Sequence, residues 1–190
     1  MTNVDPKRLA KVVKEGGKKG VEIEGWSDMG GLRFFATTVD TPEGDMSLLV
    51  ECMTAMNAPV DANAEERKGG SGAVGKMIFS YDSDKLNAVG YVPKDLADKV
   101  NVFEWMNHTM AAYNGKIICA DPDVGTGYIC KGQMEADKGN GVFPAKVRDV
   151  AVKTSIQYLI NKGVFPDDDE DEDESEEEAM GDDFFENLET

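Results

Sequence analysis

Histidine is almost absent from this chain: its 190 residues include one, His108. A single imidazole cannot supply the two or three that a histidine-based zinc site needs. Cysteine is scarce too. Cys52, Cys119 and Cys130 are odd in number and show no CxxC spacing, a pattern expected of reduced, packed thiols in a cytoplasmic or nuclear setting. No apolar run approaches the ~20 residues of a membrane span, and no hydrophobic signal segment opens the chain, so no membrane partner is expected. Basic residues stop at Lys162, whereas Asp167–Thr190 holds 15 of the 37 acidic residues. Of the formal charge of −17, the tail therefore carries −15, and the first 166 residues, with 22 acids against 20 bases, are close to neutral.

The tail 167–190 is a low-complexity run, DDDEDEDESEEE, followed by Asp182-Asp183-Phe184-Phe185-Glu186. Its charge density opposes collapse, and no fixed structure is expected of it in isolation. Ser175 precedes Glu176, Glu177 and Glu178 and suits an acidophilic kinase. Phosphate there would deepen a charge already present. Phe184 and Phe185 could anchor a protein contact that the acids steer.

Residues 1–20 read as a basic arm. Lys7, Arg8, Lys11, Lys14, Lys18 and Lys19 face only Asp5 and Glu15. Pro6 suits the first position of a helix capped by Asp5, and Gly16-Gly17 is expected to end it. The arm suits phosphates or another anionic partner. Leu32–Val39 carries apolar residues toward both faces, Phe34 and Ala36 against Phe35 and Val39, as in a central covered strand. Met46, Leu49, Val50, Met53 and Met56 repeat at helical spacing and predict an amphipathic core helix over 45–57. Pro59–Gly72 is a polar loop.

Ala73–Tyr81 and Lys85–Val92 read as a hairpin across Asp82-Ser83-Asp84. Asn101, with Glu104 three residues on, is a capping-box-like start for a helix. Phe103, Met106, Met110 and Tyr113 supply its apolar face, Trp105 lies to one side of that face, and Asn114-Gly115 closes it. His108 falls on the opposite, solvent side. Ile117 and Ile118 read as strand residues, Tyr128–Lys131 as a last short strand, and Pro144 starts the final helix. That helix has two apolar sides, Val147, Val150, Ala151 and Tyr158 on one and Val152, Ile156, Leu159 and Ile160 on the other. It is buried on both sides within the chain, or one side meets a partner or a second copy.

The segments "GSGAVGKMIFS" (Gly70–Ser80), "LNAVGYVPKDL" (Leu86–Leu96), "NVFEWMNHTM" (Asn101–Met110) and "NGK" (Asn114–Lys116) occur in an order that resembles the C-terminal domain of alanyl-tRNA synthetase, also called DHHA1. The resemblance runs from about Val21 to Leu159. It implies a nucleic-acid module, since that domain looks like a tRNA-elbow binder, with a glycine-rich turn as its ligand site. In such a turn backbone N–H groups and a lysine approach phosphate. Here Gly115 and Lys116 remain of the turn, while Ile117, Ile118 and Cys119 replace its later glycines. The paired zinc ligands of alanyl-tRNA editing factors and the DHH phosphoesterase motif have no counterpart.

The expected fold is α/β, a mixed sheet of about four or five strands with helices packed on it. It would comprise a basic arm over 1–20, a DHHA1-like domain over 21–166 and an acidic tail over 167–190. The expected function is non-catalytic binding of tRNA or other RNA through Lys7, Arg8, Lys11, Lys14, Lys18, Lys19, Gly115 and Lys116, with no cofactor or metal. The alternative is a protein-interaction module whose tail binds basic proteins such as histones or ribosomal proteins.

Overall fold

A computed structural model describes residues 4–118 and 122–166. Ser175, Phe184, Phe185 and the rest of the tail, and Cys119, lie outside the described residues. The chain forms α1 (Pro6–Gly30), β1 (Phe34–Thr38), α2 (Met46–Asn57), β2 (Gly75–Tyr81), β3 (Lys85–Pro93), α3 (Val102–Met110), β4 (Lys116–Ile117), β5 (Gly127–Glu135) and α4 (Pro144–Asn161). The five strands make one mixed sheet in the order β1-β2-β3-β5-β4, with β1 parallel to β2 and the other pairs antiparallel. The expected α/β architecture of a sheet with helices packed on it is the one observed.

Alternation along the strands splits the core in two. Phe34, Met77, Phe79, Leu86 and Ala88 pack with α3 and α4 on one face. Phe35, Ile78, Val89 and Tyr91 pack with α1 and α2 on the other. Strand β1 is covered on both faces, as its two apolar sets require, but it lies at an edge of the sheet rather than in the middle. The helices start where their caps place them. Asp5 accepts from Lys7 N–H, Asp45 from Leu48 N–H, and Asn101 from both Phe103 and Glu104 N–H. The reciprocal half of the box at α3 is replaced, because the Glu104 carboxylate accepts from Tyr158 Oη at 3.4 Å.

Helix α1 corrects the expected stop at Gly16-Gly17, since it continues to Gly30 and is closed by Gly31 in the left-handed region. The glycines are there for close packing. A Cβ on Gly16 would lie 2.5 Å from the Cys52 carbonyl oxygen, and one on Gly20 would lie 2.7 Å from that of Met56. Gly69 N–H also donates to the Gly17 carbonyl at 2.9 Å. The two backbones approach where no side chain intervenes, and Val12 and Ile23 of α1 are fully buried beside them. Burial and backbone contact outweigh the cost of glycine in a helix, about 1 kcal/mol each.

Cysteine usage needs a second correction. Cys52 is a free, buried thiol, but Cys130 is disulfide-bonded. The sequence spacing had no CxxC to signal this, because strand pairing decides which residues meet. Ile118 N–H donates to the Lys131 carbonyl, which brings distant parts of the chain alongside β5.

Candidate functional site

Four of the lysines singled out from the sequence form one line. Lys7, Lys11, Lys14 and Lys18 are spaced by four, three and four residues, and all are exposed. At ~100° per residue their directions fall within about 60° of each other, along about 16 Å of helix. Among the described residues, none of the four has an acidic partner at ion-pair distance. Packing of α1 on α2 through Gly16 and Gly20 holds this stripe on a fixed element, so residues 6–20 present charge from a folded surface.

Arg8 and Lys19 lie off the stripe. Arg8 donates to the Pro42 carbonyl at 2.8 Å and pairs with Glu43 at 3.4 Å, while Lys19 pairs with Glu22 at 3.5 Å. From the same helix, Glu15 accepts from Asp40 N–H at 3.1 Å, Thr41 N–H at 2.9 Å and the Thr41 hydroxyl. Arg8 and Glu15 thus fasten the 40–43 turn onto α1.

Gly115 and Lys116 are elsewhere, at the β4 edge, the opposite end of the sheet from β1. Gly115 donates its N–H to the Met110 carbonyl at 2.8 Å, and a Cβ there would lie 2.5 Å from that oxygen. Its donor is thus spent in closing α3. His108 is exposed and lies against Tyr158, with ring centroids 5.4 Å apart. Among the described residues no group of three His, Cys, Asp or Glu side chains could hold a metal ion, and no helix is long and apolar enough to cross a membrane.

One residue that sequence reasoning passed over borders the stripe. Trp26 on α1 is 47% exposed and is held against Phe35, centroid to centroid 6.0 Å. It lies about 12 Å beyond Lys18 along the axis and turned to the flank. A half-exposed ring fixed from behind can stack on a flat ligand group. The signal for it was missing because α1 was expected to stop before reaching it.

Two buried groups have unusual titration. Cys52 is pushed up to about 12, first by burial and then by Glu15, so its thiol is inert. Lys76 is fully buried on β2 and its amine donates to the carbonyls of Ser71 at 2.7 Å and Val74 at 2.8 Å, over the Tyr91 ring at 4.8 Å. Burial lowers its pKa well below the usual lysine range. With no exposed surface, its amine is out of reach of a substrate, and it braces the 71–74 turn instead. A lysine depressed in the fold binds fewer protons there than in the unfolded chain. Stability therefore rises with pH between the folded pKa and the free value of about 10.4. In urea unfolding across that window, the Lys76→Met variant is expected to lose this part of the rise. An identical pH dependence in both proteins would rule out the assignment.

No protein-family model matches the chain, and no curated protein matches it. Among solved structures, the C-Ala domain from Aquifex aeolicus alanyl-tRNA synthetase is similar over 63% of this chain and 90% of that one, with 18% identity and a TM-score of 0.34.

Proposed function

We propose that this protein is a non-catalytic RNA-binding module, of tRNA or another structured RNA, that takes the phosphate backbone along α1. The observation that carries the reading is the stripe of Lys7, Lys11, Lys14 and Lys18, exposed and without acidic partners among the described residues, on one side of a packed helix. Like charges lined up on a rigid element repel one another and add little to folding stability, whereas a polyanion turns them into counterion-releasing contacts. The stretch from Ala73 to Gly132, with its resemblance to the alanyl-tRNA synthetase C-terminal family, supports RNA as the polyanion. Trp26 would add stacking on an unpaired base at the end of the stripe.

Changing Lys7, Lys11, Lys14 and Lys18 together to Gln tests this. The positions face solvent, so stability should stay within about 0.5 kcal/mol per site. In fluorescence anisotropy with tRNA, affinity at low salt is expected to fall at least tenfold, on the order set by losing four phosphate contacts, and the slope of log K against log salt to drop by about 3. Unchanged affinity and slope would overturn the reading.

A further inference from the structure

The outer side of α4 is apolar and is not covered by any described residue. Val147, Ala151, Tyr158 and Leu159 are buried against the sheet and α3, which moves Leu159 from the outer set, where its spacing put it, to the inner one. Val152, Ile156 and Ile160 are half-buried and, with Phe165 and Pro166, line an open groove of about 680 Å³ that reaches Thr38 on β1. A second hollow of about 390 Å³ shares Phe165 and Pro166 and continues past Phe34. The helix α1 cannot cover this face, because it lies across the sheet.

Among the described residues the rim is mainly cationic. Arg33, Lys99 and Lys153 are exposed and have no acidic partner among the described residues. The fourth cation, Arg148, lies over the Tyr81 ring at 5.2 Å and pairs with Asp149 at 2.7 Å, so the carboxylate that lines the groove among the described residues is already neutralised. An apolar trough with a cationic rim fits an acidic segment that carries aromatic side chains.

The chain itself supplies such a segment. It leaves the described structure at Pro166, in the wall of the groove, and the next 24 residues carry 15 acids and the Phe184-Phe185 pair. Seventeen residues lie between Pro166 and Phe184. A flexible linker of that length would have a root-mean-square reach of roughly 23 Å, against about 18 Å for the run of α4 from Arg148 to Ile160. A linker whose reach matches the span gives an effective concentration on the order of millimolar. We propose that the groove between α4 and Phe165 is the docking site of this chain's own Phe184-Phe185 segment, with Arg33, Lys99 and Lys153 steering the acids that flank it. The proposal does not depend on RNA binding at α1.

The test uses the full chain and its Phe184→Ala/Phe185→Ala variant, with a labelled peptide of residues 178–190 added in trans. With the native segment in the groove, the peptide meets a competitor in the wild type and none in the variant. It is expected to bind the variant at least tenfold more tightly. Ile156→Glu, placed in the variant at a half-exposed position, should abolish that binding, with circular dichroism confirming the fold. Equal affinity for wild type and variant would overturn the proposal, as would no binding to either. Sedimentation of the wild type as a dimer, lost in the variant, would overturn it in favour of a second copy.

Discussion

Gly16→Ala and Gly20→Ala are each expected to destabilise the protein by about 3 kcal/mol, while Gly25→Ala stabilises it by about 1 kcal/mol. All three are in α1. At Gly25 the added methyl meets nothing within 4 Å, so only helix propensity counts and alanine wins. At Gly16 the methyl would sit 2.5 Å from the Cys52 carbonyl oxygen and 2.9 Å from the Ala55 Cβ, and at Gly20 2.7 Å from the Met56 carbonyl oxygen. These contacts are with backbone and an alanine methyl, neither of which can rotate away, so α1 must move off α2 and strip cover from Val12 and Ile23. The overpacking cost exceeds the propensity gain. Thermal unfolding reads this as melting temperatures lower by about 6–12 °C for the first two and higher by a few degrees for the third. If Gly16→Ala melted with Gly25→Ala, α1 would not be held by close backbone packing, and the lysine stripe would not be a rigid surface.

Trp105→Ala is expected to cost about 3–5 kcal/mol, at the upper end for a single core truncation. Trp105 is fully buried, its edge meets the Phe34 ring at 6.2 Å and 86°, and its Nε1–H donates to the Ser155 carbonyl at 3.0 Å. It therefore ties α3 to α4 and to β1 at once. Trp105→Phe should cost less, about 1–3 kcal/mol, because it keeps most of the apolar volume and forfeits the buried N–H bond. Urea unfolding separates the two. A Trp105→Ala protein with wild-type midpoint and weakened partner binding would make this residue a contact instead of a core anchor. Phe103, two residues earlier, is 53% exposed, and Phe103→Ala should stay within about 0.5 kcal/mol of wild type as a surface change.

Local chemistry made much of this molecule legible in its sequence. The caps Asp5 and Asn101, Pro6 and Pro144 at helix starts, the Asp82–Asp84 turn and the alternation in β1 act over a few residues. Each raised the same element that the folded chain shows. The spacing of Lys7, Lys11 and Lys14 is also a local property, since the helix period alone brings them to one side, whereas Lys18 joins them only because α1 continues past Gly16-Gly17. What only tertiary structure decided involves two distant segments at once. A glycine pair reads the same whether it ends a helix or lets a neighbouring helix approach, and the α2 backbone settles it at Gly16. Phe103 and Trp105 sit on one short helix with nearly equal apolar character, and the position of α4 selects Trp105 for burial. The Gly115 donor, free in a phosphate-binding turn, is taken here by the Met110 carbonyl. Strand order placed β1 at an edge and left one side of α4 open, because hydrogen-bonded neighbours in a sheet depend on every other strand, and no window of sequence contains them all.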